Sequence, residues 1–355
     1  MSRISPASRR SFLGHSALLL AGGASASIRT AAGQSSPAQN TAEPIHAHEY
    51  WAQRGSIRLY VYRKCAGSVQ PGRSTRPILF LAHGSSVSSR PTFDLSVPGH
   101  GEYSLMDVFA RYGFDVWTMD FEGYGHSSPS AGNSNVADGA ADIQAAAKIL
   151  TRETGQSSFH LYGESGGALR AAAFAMAQPH SVRRLALSAF TWTGKGSPTL
   201  TRRAEKSDDY RTHNTRPRDR NMIRSIFTRD KPGTSDPAVA EAMADAELPF
   251  GTQVPTGTYL DMTTRLPLID PARLTMPVQI LRGQYDGIAT ESDLLNFFQL
   301  LPVPDRQFVV LPGAAHLVAL GTNRRQFWHV LRAFLDMPPT LSAPDLATHS
   351  EGSRP

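Results

Sequence analysis

Along residues 46–337 the apolar positions follow two rhythms in turn. Residues 56–63, Ser-Ile-Arg-Leu-Tyr-Val-Tyr-Arg, alternate at period two, as a strand with one buried face does. Residues 77–82, Pro-Ile-Leu-Phe-Leu-Ala, are apolar without a break, which predicts a strand buried on both faces. Further β-type runs fall at 114–119, 158–162, 182–188, 278–281 and 308–311. Helical stretches separate them at 104–112, 137–153, 167–178, 292–301 and 324–335. This alternation predicts an α/β fold, a mostly parallel doubly wound sheet whose ligands bind at the carboxyl ends of the strands. The rhythm fails between about residues 191 and 271, which reads as an insertion.

The two ends carry a different pattern. Residues 1–26 hold Ser8-Arg9-Arg10-Ser11-Phe12-Leu13, then an apolar run too short to cross a bilayer, then Ala24-Ser25-Ala26 as a small-x-small cleavage site. The paired arginines followed by Ser-Phe-Leu resemble a bacterial twin-arginine export signal. That resemblance implies passage through the twin-arginine machinery and a periplasmic or secreted protein. No cysteine stands at the cleavage site, which argues against a lipoprotein anchor. Residues 27–45 read as a flexible linker and residues 338–355 as a disordered tail. A folded unit at 46–337 is long enough to bury one large core.

Composition changes this picture little. The formal charge is +6, and removing Arg3, Arg9 and Arg10 lowers it to +3, too weak a field to argue for nucleic acid. Cys65 is the sole cysteine, so no disulfide forms within the chain. No His-x-x-x-His or clustered Cys/His spacing occurs, so neither a metal nor another cofactor is expected.

The candidate chemistry centres on Gly163-Glu164-Ser165-Gly166-Gly167, between the 158–162 strand and the Ala-rich helix after it. A turn that tight requires glycine on both sides of the serine and leaves the hydroxyl standing clear of the sheet. Other predicted strand ends carry His83-Gly84-Ser85-Ser86, Asp120-Phe121-Glu122-Gly123, Gly283-Gln284-Tyr285-Asp286 and Pro312-Gly313-Ala314-Ala315-His316. Together these segments resemble the α/β-hydrolase superfamily, with its chain order of serine, acid and histidine. The resemblance covers nearly all of 46–337. It implies Ser165 as nucleophile, His316 as general base and Asp286 as the acid that orients the imidazole. Asp270 and Asp305 are weaker substitutes for that acid. It further implies an oxyanion hole from the amides of Ser85 and Gly166. His83 is expected to shape the oxyanion loop, and Asp120 to brace a glycine turn.

In cap-bearing members an insertion at 191–271 folds over the site. Ser86, Glu164 and Trp192 are the candidate pocket residues, with Phe250 and Tyr259 as further aromatics. The Arg-rich stretch from 202 to 231 could greet an anionic substrate, but Asp208, Asp209, Asp219 and Asp230 interleave it, which favours a solvated face. The expected enzyme is a cofactor-independent serine hydrolase that cleaves a carboxylic ester of a small or medium organic substrate through an acyl-enzyme. A lactonase, an amidase or a carbon–carbon bond hydrolase would use the same triad. A serine at the elbow argues against haloalkane dehalogenases and epoxide hydrolases, which place aspartate there. His-Gly-Ser-Ser departs from the His-Gly-Gly-Pro of proline iminopeptidases, which lowers a peptidase reading. An inactive binding protein on the same fold is the reading of another class.

Overall fold

The computed structural model describes residues 43–129 and 131–339; the signal-like start, nearly all of the linker and nearly all of the tail lie outside these. Ten strands occur among the described residues: β1 Ile45–Arg54, β2 Ile57–Ala66, β3 Ile78–Ala82, β4 Asp115–Met119, β5 Phe159–Glu164, β6 Val182–Ser188, β7 Thr215–Pro217, β8 Gln253–Pro255, β9 Val278–Gly283 and β10 Arg306–Leu311. Eight of them form one sheet in the order β1-β2-β4-β3-β5-β6-β9-β10. The β1–β2 and β2–β4 pairings are antiparallel and the rest parallel. The mostly parallel α/β sheet anticipated from the alternation is therefore present. β1 was not anticipated. Its residues are mostly exposed, so an edge strand paired on one side leaves no clean apolar alternation to read.

From β3 the chain first steps outward to β4, then returns to β5 on the opposite side of β3 and continues outward through β6, β9 and β10. The carboxyl ends of β3 and β5 thus diverge, which opens a crevice between their following loops. Register makes those ends level. Ala82 pairs with Gly163, Gly163 with Leu187, Leu187 with Ile280, and Ile280 with Phe308. The loops bearing Ser85, Ser165, Asp286 and His316 consequently leave one edge of the sheet.

Helices cover both faces. They are α1 Ser89–Phe93, α2 Leu105–Arg111, α3 Val136–Thr154, α4 Gly166–Ala177, α5 Pro198–Ala204, α6 Ser207–Thr212, α7 Arg220–Thr228, α8 Pro237–Glu247, α9 Gly257–Thr264, α10 Glu291–Leu300 and α11 Arg324–Leu335. Because side chains alternate along a strand, Leu79 and Leu81 face α2 and α11 through Phe109, Phe327 and Leu331, while Ile78 and Phe80 face α3 and α4 through Ile143, Leu169 and Phe174. Helix α3 begins with a reciprocal capping box between Asn135 and Asp138 and ends on left-handed Gly155. No helix among the described residues is long and apolar enough to cross a membrane.

Between β6 and β9 the chain forms α5 to α9 and the antiparallel β7–β8 ribbon. A separate core joins this insertion to the long loop after β3. Ile223, Phe227, Val239 and Met243 pack there with Val87, Leu95, Val97 and Tyr103. A buried ion pair between Arg218 and Glu247 adds to the joint, and Glu247 also accepts from the amide (2.9 Å) and hydroxyl (2.6 Å) of Ser88.

Candidate active site

Ser165 stands between β5 and α4 at φ 57° and ψ −121°, a positive-φ conformation that costs free energy in a residue with a side chain. Surrounding contacts hold it there. Its amide donates to the Ser188 carbonyl at 2.9 Å, and its own carbonyl accepts from Ala168 at 3.0 Å. A Cβ on Gly163 would come within 2.6 Å of the Gly167 carbonyl, and one on Gly167 would collide with the carbonyls of Ala82 and His83. Close approach of α4 to β3 and β5 is therefore what requires these two glycines.

Three side chains meet at this elbow. The Ser165 Oγ lies 3.0 Å from His316 Nε2, and His316 Nδ1 lies 2.9 Å from Asp286 Oδ1. The same Asp286 oxygen accepts from the Ile288 amide at 3.0 Å. Burial opposes ionisation of Asp286, but His316 and the Ile288 amide outweigh it and hold the carboxyl below its usual value. Burial also lowers His316, against the opposing pull of Asp286, so its imidazole is neutral at pH 7 and able to accept a proton. Asp270 and Asp305 lie elsewhere. Asp270 caps a short turn at Ala272, and Asp305 pairs with Arg184.

The loop after β3 is braced from several directions. His83 is fully buried; it accepts the Phe121 amide at Nε2 (3.1 Å), which leaves Nδ1 to donate to the Gly84 carbonyl (2.8 Å). Burial depresses its pKa to about 4, so it remains this neutral strut. Asp120 accepts from the amide and hydroxyl of Ser89 and from the amide of His126, which links this loop to the glycine turn after β4. The Ser85 carbonyl accepts from the Tyr124 hydroxyl at 3.0 Å and from Arg216 at 2.8 Å. The Ser85 amide lies beside Gly166, 3.5 Å from where a Cβ on that residue would be. Gly166 opens α4, where a helix has no internal acceptor for its amide. The Ser85 and Gly166 backbones thus lie side by side at the elbow.

Ser165 and His316 line a partly open cavity. Ser86 and Glu164 line it, as the sequence reading expects. Glu164 is buried, accepts a 3.2 Å bond from Tyr162, and is pushed by burial up to about 8, so it is protonated at neutral pH. Trp192 is a correction, for it does not reach the cavity. Its indole N–H donates to the Ile269 carbonyl at 3.0 Å, and its ring packs on Phe297 of the main core. Phe250 likewise packs on His126, whereas Tyr259 does line the cavity.

The insertion supplies residues that the sequence reading assigned to solvent. Arg202, Arg211 and Arg224 are exposed, and Arg211 and Arg224 pair with nearby acids. Arg203 and Arg229 instead line the cavity, and Arg216 is buried behind it on Ser85 and Ser86. Interleaved charge described only half of this stretch. Alternation in β7 (Arg216 buried, Pro217 exposed, then Arg218 buried) is the local signal that separates inward from outward arginines, but three residues are too few to read unaided.

Among the described residues, Asp230, Asp286 and His316 bring potential metal ligands within 4.8 Å of one another. Both His316 nitrogens are already engaged, one by Ser165 and one by Asp286, so this group has no free imidazole donor.

A nucleophile elbow on a central strand, an adjacent acid–imidazole pair from later strand ends and an α/β sheet of this order define an α/β-hydrolase enzyme. The chain belongs to the hydrolase family described as "Serine aminopeptidase, S33", whose profile matches residues 99–322. Solved structures of similar fold include an E-2-(acetamidomethylene)succinate hydrolase (20% identity, 82% of this chain and 100% of that one, TM-score 0.59). Also similar are a thioesterase domain from the curacin biosynthetic pathway (15%, 82% and 99%, 0.56) and a carboxylesterase from Bacillus subtilis (16%, 82% and 93%, 0.54). At these identities the likeness extends to the fold alone. No curated protein matches the chain in sequence.

Proposed function

We propose that the protein hydrolyses a carboxylic ester of a small or medium organic substrate through an acyl-enzyme on Ser165. The observation that carries this is the continuous chain Ser165–His316–Asp286, with spacings of 3.0 and 2.9 Å, at the mouth of a cavity. His316 takes the Ser165 proton as Oγ attacks the carbonyl carbon, and Asp286 stabilises the imidazolium that results. The amides of Ser85 and Gly166 receive the oxyanion; one such donor typically contributes about 3 kcal/mol to the transition state. Collapse expels the alcohol, which takes the proton from His316. Water then repeats the sequence on the acyl-enzyme and releases the acid.

An aminopeptidase, the activity named in the family description, has to hold a substrate ammonium group. Glu164 is the carboxyl group that lines the cavity, burial keeps it protonated, and the other ionisable groups facing it include Arg203 and Arg229. That environment repels an ammonium and supports the ester reading. The test is labelling with a fluorophosphonate probe together with turnover of p-nitrophenyl esters, wild type beside Ser165→Ala. Labelling and turnover lost in the variant support the reading; a folded wild type that neither labels nor cleaves esters overturns it.

We further propose that residues 1–26 export the folded protein to the periplasm or beyond through the twin-arginine machinery. Replacing Arg9 and Arg10 together by Lys should trap the protein in the cytoplasm on fractionation, and unchanged export would exclude this route.

A further inference from the structure

Arg203 and Arg229 line the cavity and Arg216 lies buried behind it, and all three are poorly neutralised. The guanidinium carbons of Arg203 and Arg216 each lie 4.0 Å from the centre of the Tyr259 ring. Neither arginine has a carboxylate within ion-pairing distance among the described residues. Among the described residues the one hydrogen-bond partner of the Arg203 side chain is the Met262 sulfur at 3.7 Å. Arg216 is only 6% exposed and its Nε has no partner. Arg229 faces Asp230 at 3.5 Å without forming a hydrogen bond, and its Nη2 is buried without a partner. Among the described residues Glu164 is the carboxyl group lining the cavity, and Asp286 is occupied by His316.

Burying a guanidinium without a counter-charge is costly, and a fold retains that arrangement only where something offsets it. We propose that the offset is the substrate, and that this cavity is built for an ester bearing a carboxylate, held by Arg203, Arg229 and the Tyr259 hydroxyl, with the charge of Arg216 behind them. The proposal rests on the ester-hydrolase reading of Ser165 and narrows its substrate class. The site also sets a length. Arg216 and Tyr259 both bond the Ser86 hydroxyl, at 2.9 and 3.2 Å, and Ser86 directly follows the oxyanion donor Ser85. Consecutive Cα atoms are about 3.8 Å apart, so the residue that Arg216 and Tyr259 bond adjoins the oxyanion donor, which suits a short link between the anionic group and the scissile carbonyl. A half-ester of a short dicarboxylic acid has that span. The arginines push Tyr259 down to about 7 against its burial, so in the empty site the phenol is itself a partial counter-anion. A bound carboxylate would displace that charge and return Tyr259 to its protonated form.

Two matched ester pairs test the preference and locate the charge. Mono-p-nitrophenyl glutarate is compared with its methyl ester, and 4-acetoxybenzoate with methyl 4-acetoxybenzoate. The first pair places the carboxylate on the acyl side and the second on the alcohol side. The expected result is a kcat/KM at least tenfold higher for the charged member of one pair, with that ratio falling at least tenfold in Arg203→Met and in Arg229→Met. Calorimetric titration with glutarate supplies a readout independent of turnover. Wild type should bind, the two variants should bind at least tenfold more weakly, and phenolate absorbance near 295 nm should fall as glutarate is added and not in Tyr259→Phe. Equal kcat/KM within both pairs and no glutarate binding would overturn the proposal and leave Tyr259 phenolate as the resident counter-anion. Fluorophosphonate labelling separates the two failures. A labelled enzyme that cleaves neutral esters without preference keeps the esterase reading and loses the anion site. A protein that is neither labelled nor active, yet binds glutarate through Arg203, keeps the anion site and loses the esterase reading.

Discussion

Removing Glu247 should damage the protein more than removing the whole ion pair to which it belongs. The Glu247 and Arg218 side chains are 0% and 1% exposed, and they close an ion pair between the end of α8 and the segment after β7. Arg218 also donates to the Gly251 carbonyl at 2.6 Å, and Glu247 accepts two bonds from Ser88. Burial pushes Glu247 up to about 7 and Arg218 down, the mark of two charges that are costly to desolvate and held by each other. Glu247→Met leaves Arg218 charged, buried and unopposed, at a cost of about 3–5 kcal/mol. For a domain of this size that is a fall in Tm of roughly 6–10 °C. Arg218→Met should cost a similar amount by stranding the carboxylate. The double variant Arg218→Met, Glu247→Met buries no charge; it leaves the pair of Ser88 donors unpaired, about 1–3 kcal/mol, while the carbonyl of exposed Gly251 turns from Arg218 to water. Urea denaturation of all four proteins closes a double-mutant cycle with an expected coupling of at least about 2 kcal/mol. A double variant as unstable as the two singles added together would refute the argument. The same variants should lower kcat, because Ser86 and Ser88 lie on the loop that carries the Ser85 amide.

Three further outcomes follow from the geometry. With burial lowering His316, kcat/KM for a neutral ester should rise with pH through a value below 6.5 and level off by about pH 7; an acid limb centred at or above 7 would show that the imidazolium, not the neutral ring, is favoured. Glu164→Gln should stabilise the protein increasingly between pH 4.5 and about 8, since the unfolded carboxyl ionises across that window while the folded one does not. The slope has a ceiling of about 1.4 kcal/mol per pH unit, the difference vanishes below 4.5, and parallel stability curves for the two proteins would exclude a raised Glu164. His83→Ala strands the Phe121 amide and unties the Gly84 carbonyl, so it should cost about 1–3 kcal/mol in chemical denaturation and lower kcat; a variant of wild-type stability and rate would show that the loop needs no such strut.

What the chain determined by itself is what neighbouring residues decide among themselves. An unbroken apolar run specified β3 because a strand buried on both faces has few polar positions to spare. Gly163 and Gly167 announced the elbow because the backbones of β3, β5 and α4 approach too closely there for any side chain. The order of serine, acid and histidine was legible for the same reason, since each follows a recognisable strand end. The tertiary structure alone decided which members of a mixed pattern turn inward. Edge strand β1 shows no clean alternation, because only one of its sides is paired and most of its residues meet water. Trp192 follows β6 closely enough in sequence to suit a pocket, yet the path of the insertion turns its ring onto Phe297. Arg203, Arg216 and Arg229 share their composition with the exposed Arg202, Arg211 and Arg224. Only the packing of α5, α7 and the β7–β8 ribbon over the crevice distinguishes them, because the burial of a charge depends on what the rest of the fold brings against it and not on its neighbours in the chain.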